Sequence, residues 1–242
     1  MTDLAPVVRP AVLIPTKDNA ASVGAVVASA LVHGLPVFVV DDGSTDGSGE
    51  RARAAGAIVL RHDQNRGKGR ALVTGMTAMR EAGHTHAICL DADAQHDPHD
   101  IPAFAAAVAR DPTAIFAGTR DLSTAPGSSR FGRRFSNFWI WFETGWTVAD
   151  TQCGFRAYPI APVLALGLTG HRYDFEVEVL TRSLWAGTPV YDLPCRVYYP
   201  PPAERVTSFR PFVDNARISV MNTRLVIERI FWPPRWFTMR PR

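Results

Sequence analysis

The chain has 242 residues, 46% of them hydrophobic and 20% charged, an ordinary globular composition with enough length for one large α/β domain. Three scattered cysteines, Cys89, Cys153 and Cys195, form no C-x-x-C pair, so the spacing indicates neither a disulfide framework nor a zinc site. Net charge is +3 but unevenly placed: eight arginines against two acids between Arg205 and Arg242 give that stretch +6, leaving −3 for the rest.

In chain order, Ala11–Pro15 is a short apolar run and Ala20–Leu31 has the composition and length of a helix. Val37–Val40 is a second run, followed by an Ala/Arg helix from about Ser48 and a third strand at Ala57–Leu60. Lys68–Ala82 reads as a helix, Ala87–Leu90 as a strand, Ile101–Arg110 as a helix and Ala114–Ala117 as a strand. This β-α alternation predicts a mostly parallel sheet with helices on both faces, whose ligands bind beyond the strand carboxyl ends. Asp41, Asp42, Asp91 and Asp93 all fall at such ends. After Gly118 the alternation breaks. Ser129–Trp146 mixes Arg130, Arg133 and Arg134 with Phe135, Phe138, Trp139, Trp141 and Phe142; Tyr173–Ala186 is a helix, Thr188–Val197 a strand, and Phe212–Trp232 a long amphipathic helix. The expected division is therefore an α/β domain over 1–211 and a basic, aromatic tail over 212–242.

Asp91-Ala92-Asp93-Ala94-Gln95 follows the fourth strand. An apolar strand cannot carry carboxylates into a core unpaired, since burying a bare charge costs several kcal/mol or more. Residues i and i+2 of an extended chain point the same way. Asp91 and Asp93 are thus expected to converge, with Gln95 next in the series, and hard oxygens suit a divalent cation that also holds phosphate. A solvated acidic turn is the alternative. Asp42, Ser44, Asp46 and Gly47 mimic the start of a calcium loop, but the glutamate required at its twelfth position is Arg53, which excludes calcium. That loop is either a helix-capping turn or a nucleotide contact through Asp42. Asn65–Arg70 is a Gly-flanked basic turn at a helix start, suited to phosphate or simply solvated. Asp150–Arg156 packs acid, amide, Gly and Arg into one loop, either merely polar or with Asp150 near the reacting group and Arg156 in support.

These segments in order, Ile14-Pro15-Thr16-Lys17-Asp18-Asn19, Val40–Asp46, Asn65–Gly69, Leu90–His96, Gly118-Thr119-Arg120 and Asp150–Arg156, resemble a family 2 glycosyltransferase of the GT-A fold. The nearest branch is the dolichyl-phosphate mannose synthase and polyprenyl-phosphate sugar transferase group. Thr16-Lys17-Asp18-Asn19 stands where that family has Pro-x-Tyr-Asn-Glu. The resemblance implies that Pro15, Asp18 and Asp42 line a nucleotide pocket together with Asp91, and that Lys68 lies near the phosphates. It implies that Asp91, Asp93 and Gln95 hold Mg²⁺ or Mn²⁺. Arg120 and the Arg130–Arg134 cluster would face an acceptor phosphate, Asp150 would be the catalytic or acceptor-orienting carboxylate, and Arg156 would support it. The implied reaction is inverting transfer from a UDP- or GDP-sugar to a membrane lipid acceptor, a polyprenyl phosphate first. A hydroxyl of another glycolipid or glycan is the alternative acceptor, and a binding module that has lost catalysis is a third reading. A nucleotidylyltransferase would open with a Gly-rich loop, which Pro15–Ala20 lacks.

Arginine with clustered Trp and Phe on an amphipathic helix describes a segment lying in a lipid interface. A helix packed in the core is the alternative for Phe135–Phe142. No nucleic-acid-binding module accompanies the basic residues, so nucleic acid is not expected as a partner. The amino terminus shows no signal-peptide pattern and no run reaches the ~18 apolar residues of a membrane span. The expected location is cytoplasmic, peripherally attached to the inner face of the membrane.

Overall fold

The computed structural model describes residues 7–121, 127–199 and 211–231. Its centre is a seven-stranded sheet in the order β3-β2-β1-β4-β6-β5-β7. The strands are β1 (Pro10–Thr16), β2 (Val37–Asp41), β3 (Ile58–Arg61), β4 (His86–Cys89), β5 (Ile115–Arg120), β6 (Arg156–Pro159) and β7 (Val190–Cys195). All run parallel except β6, which is inserted antiparallel between β4 and β5. The mixed α/β architecture is the one expected, but β6 was not foreseen. The expected helix at Ala20–Leu31 also starts later, as α1 (Val23–Leu31), because Ala20–Ser22 form a turn.

Alternation along the strands divides the core. Val12, Ile14, Val37, Val39, Ile88 and Phe116 face one layer, made by α1, α2 (Ser48–Ala54) and α4 (Ile101–Arg110). Ala11, Leu13, Phe38, Val40, Ala87 and Ile115 face the other, with α3 (Lys68–Glu81), α5 (Gly127–Thr144), α6 (Ile160–Leu164), α7 (Asp174–Trp185) and α8 (Pro211–Phe231). Strands buried on both faces need near-continuous apolar runs, which is why AVLI and VFVV look as they do. Gly75 lets α3 lie close on the sheet: a Cβ there would stand 2.2 Å from Leu13 Cδ1.

The segment from Pro211 is joined to the body. Leu225 is fully buried, Asp214 lies 3.1 Å from Arg172 Nε, and Glu228 pairs with Arg182 at 2.9 Å. The described part of the expected tail thus forms α8, which packs on α7 up to Glu228; residues 232–242 lie outside the described residues. Among the described residues no helix is long and apolar enough to cross a membrane.

One buried acid in this layer makes stability depend on pH. Glu143 on α5 is fully buried and accepts from Thr181 Oγ1 at 2.8 Å. Burial pushes its carboxyl up to about 7, the Thr181 hydrogen bond opposing only in part. An unfolded glutamate titrates near 4.3. A raised pKa means that the protonated fold is favoured, so this contribution is complete below about pH 4 and is lost as pH rises through about 7. Glu143→Gln should flatten that decline. Relative to the parent it should gain on the order of 3 kcal/mol between about pH 5 and pH 8 in urea unfolding; parallel curves would show that Glu143 is not the titrating group.

Candidate active site

The site is assembled at the carboxyl ends of β1, β2, β4 and β5. After β1, Pro15 is buried and Asp18 sits at φ +54°, a left-handed conformation that its short polar side chain tolerates. Asp18 Oδ1 accepts from Thr45 N at 2.9 Å while Asp18 N donates to Ser44 Oγ, lacing this loop to the one after β2. Its carboxyl is held below the usual range, first by Lys17 and then by the Thr45 amide. Asp18 remains exposed to incoming ligand.

Asp42 follows β2. It is 4% exposed, and His62 Nδ1 lies 2.7 Å from Oδ1, which also accepts from Arg66 N at 2.8 Å, while Oδ2 accepts from Gly67 N at 2.7 Å. Through these bonds the carboxylate holds the 65–67 turn in place from inside the protein. Gly67, at φ +94°, leads into α3; a Cβ there would sit 2.2 Å from His171 O.

Lys68, the first residue of α3, bridges two acids: Nζ is 2.6 Å from Asp91 Oδ1 and 2.7 Å from Glu176 Oε1. Burial opposes its charge, but Asp91 and Glu176 outweigh it and hold the ammonium well above the usual lysine range. Glu176 on α7 in turn lies 3.0 Å from Arg156 Nη2. Arg156, Glu176, Lys68 and Asp91 thus form a ladder of alternating charge in which each buried ion has an opposite neighbour. Arg156 is fully buried, donating Nη2 to Thr151 O at 2.6 Å and Nε to Cys153 O at 2.8 Å. With these donors taken inside the protein, it holds the 151–153 loop from within, the supporting place expected of it. Glu176 was missed; its only signal was an acid recurring within the apolar α7.

Asp91–Ala94 do not continue as an extended strand. They turn, with Ala94 at φ +60°, and Asp93 Oδ1 accepts from Gln95 N at 3.0 Å. The carboxylates of Asp91 and Asp93 nonetheless act on each other through their charges. Burial first and the charge of Asp91 second push the Asp93 carboxyl up, while Lys68 and His96 overcome burial to keep Asp91 low. Two hard carboxylates repelling each other fit a hard divalent cation, which would relieve that repulsion. Gly154 closes against Asp91 and Lys68: an added Cβ would meet Asp91 Oδ2 at 2.3 Å and Lys68 Nζ at 3.0 Å.

At the end of β5, Arg120 clamps Asp150 with Nε at 2.7 Å and Nη2 at 3.0 Å, and Arg133 Nη1 adds a contact at 3.3 Å. Gln152 N donates to the same carboxylate at 3.2 Å. Asp150 is fully buried; burial would raise its carboxyl, but Arg120 and then Arg133 hold it low. An ionised carboxylate with its lone pairs taken by two guanidiniums is a poor proton acceptor. Two guanidiniums thus converge on one carboxylate. The Arg130 side chain lies outside the described residues.

Beneath these groups His96, Cys153 and Cys195 come together, Cys153 Sγ lying 3.7 Å from Cys195 Sγ. A hydrogen bond from Cys153 pulls the Cys195 thiol down to about 6 against its burial, with His96 assisting, while burial and Cys195 push Cys153 up.

Residues 11–164 match the family model described as Glycosyl transferase family 2. An uncharacterized protein of Methanocaldococcus jannaschii is 32% identical over 170 residues, 67% of this chain and 70% of that one. A UDP-N-acetylglucosamine–dolichyl-phosphate N-acetylglucosaminyltransferase of Methanococcus voltae is 28% identical over 149 residues, 59% of each chain. Among solved structures, glucosyl-3-phosphoglycerate synthase from Mycobacterium tuberculosis, in complex with Mn²⁺, UDP-glucose and phosphoglyceric acid, superposes with a TM-score of 0.61 at 19% identity, covering 90% of this chain and 77% of that one. The fold is the GT-A fold of such transferases.

Proposed function

The chain belongs to glycosyl transferase family 2, and we propose that it transfers a sugar with inversion from a UDP- or GDP-sugar to the phosphate of a membrane polyprenyl phosphate. The observation that carries the acceptor class is the Arg120–Asp150–Arg133 arrangement. A hydroxyl acceptor needs a base to take its proton, and Asp150 is occupied. A phosphate oxygen is already anionic, and two oriented guanidiniums bind it well. The dolichyl-phosphate relative supports the same reading.

In this mechanism Asp150 fixes the planes of Arg120 and Arg133, which hold the acceptor phosphate. One of its oxygens attacks the anomeric carbon from the side opposite the nucleotide. The bond from that carbon to the diphosphate oxygen breaks, and its electron pair stays on the departing nucleoside diphosphate. Asp91, Asp93 and Gln95 would hold Mg²⁺ or Mn²⁺, which supplies Lewis-acid stabilisation to the leaving diphosphate. Asp18 and the backbone around Pro15 border the nucleotide, and Lys68 keeps Asp91 ionised and aimed.

The membrane contact is assigned to α5. Phe135, Phe138 and Trp141 are each about half exposed and Phe142 is 42% exposed, while Ile140 on the opposite side is fully buried. One helix thus divides between the two alternatives, core and interface. Exposed aromatics beside arginines suit a bilayer surface at the cytoplasmic face. Phe138→Ser combined with Trp141→Ser should slow transfer to polyprenyl phosphate in anionic vesicles by about tenfold or more, the effect of losing roughly 1.4 kcal/mol of binding. Transfer to a short, water-soluble isoprenyl phosphate should be unchanged. Equal losses with both acceptors would remove the membrane role from this face.

A further inference from the structure

Cysteine spacing along the chain hides the cluster of His96, Cys153 and Cys195, because β7 and the 151–155 loop meet only in the fold. We infer that these three side chains form a binding site for a soft d¹⁰ cation, Zn²⁺ foremost, separate from the hard-cation carboxylates of Asp91 and Asp93. Three observations carry this.

The ligand atoms lie within 4.8 Å of one another, and all three residues are buried. Two sulfurs bound at about 2.3 Å to a tetrahedral zinc stand about 3.8 Å apart; Cys153 Sγ and Cys195 Sγ are at 3.7 Å. A disulfide needs about 2.05 Å, so the pair is spaced for a shared metal and not for a bond.

Next, His96 Nδ1 is buried with no hydrogen-bond partner. Buried polar atoms are seldom left so, and imidazole with thiolates is a donor set that selects zinc over magnesium or calcium.

The third observation is the backbone at Gly118. A Cβ at this β5 position would meet Cys153 Sγ at 2.8 Å and Cys195 Sγ at 2.9 Å. Absence of a side chain there is what lets both sulfurs lie together against β5.

The three ligands come from three segments: the turn after β4, the loop that carries Asp150, and the end of β7. A bound cation ties them together. His96 Nε2 stands 4.0 Å from Asp91 Oδ2, so the tie abuts the turn bearing the catalytic carboxylates. Two thiolates would balance the charge of the divalent ion, each having released its proton to solvent on binding.

The test uses the full chain, reduced and stripped of metal, titrated with Co²⁺. Cobalt on thiolates gives an intense near-ultraviolet charge-transfer band, whereas cobalt on carboxylates and water gives only weak visible bands. A charge-transfer band saturating at one equivalent, removed by added Zn²⁺, is expected. It should survive in Asp93→Ala, which spoils the hard-cation site, and vanish in Cys195→Ser and in Cys153→Ser with their far-ultraviolet circular dichroism unchanged. X-ray absorption of the zinc-loaded parent should find two sulfur neighbours and one imidazole, a readout that needs no variant. No charge-transfer band from the folded parent, a band that persists in both serine variants, or an all-oxygen zinc environment would overturn the assignment.

Discussion

Asp93→Ala lowers the rate of sugar transfer by about three orders of magnitude and leaves the fold about as stable as the parent. The size follows from the work a metal does at a departing diphosphate: several kcal/mol of charge stabilisation, with each 1.4 kcal/mol worth a factor of ten. The stability claim follows from the side chain's own position. Burial and the charge of Asp91 already push the Asp93 carboxyl up, so its ionised form is disfavoured relative to a free carboxylate. What alanine removes is chiefly one hydrogen bond, from Gln95 N to Oδ1, and a net hydrogen bond contributes about 1 kcal/mol. The two effects nearly offset. Asp91 differs: it pairs with Lys68 at 2.6 Å, so Asp91→Ala loses activity and stability together. Turnover with saturating Mn²⁺, measured beside thermal unfolding, separates these cases. An Asp93→Ala enzyme turning over at the parent's rate removes the metal site from this turn.

Arg156→Met destabilises the protein by about 3–5 kcal/mol, the cost of deleting one partner of a buried ionic network. The guanidinium is fully buried, and its removal strips donors from the carbonyls of Cys153, Thr151 and Glu176 at once. It also leaves Glu176 with Lys68 alone, which weakens the hold of Lys68 on Asp91. Guanidinium denaturation reads the stability. A second readout tells positioning from simple unfolding: at a temperature where the variant is fully folded, kcat should fall while KM for the nucleotide sugar changes little, because the 151–153 loop carries the acceptor clamp's Asp150 on its flank. A variant as stable as the parent would mean that Arg156 does not hold the loop.

The legible parts of this protein were those in which local pattern and global fold agree. Apolar runs flanked by turn residues gave β1, β2 and β4, since a strand buried on both faces has no other composition available to it. β6 was illegible for the opposite reason. Arg-Ala-Tyr-Pro is four residues long, opens on a charge and closes on proline, and it becomes a strand only because β4 and β5 lie on either side of it. Paired acids at strand ends pointed to the site, yet spacing did not tell their fates apart. Asp42 and Asp91 each follow an apolar strand. One is consumed by His62 and two amides more than twenty residues away; the other is aimed outward by Lys68. Such choices rest on partners remote in sequence. The same holds for Cys153 and Cys195, which sit 42 positions apart yet within 3.7 Å.

The measurement that tests the central claim most directly is mass spectrometry of lipid products. The purified chain is incubated with Mn²⁺, polyprenyl phosphate in vesicles and a panel of UDP- and GDP-sugars, with Asp93→Ala as the control. The account predicts a glycosylated polyprenyl phosphate from one donor, of inverted anomeric configuration, and none from the control. Donor consumed without any glycosylated lipid phosphate, or a sugar found on a hydroxyl acceptor instead, would contradict it and with it the role given to Arg120, Arg133 and Asp150.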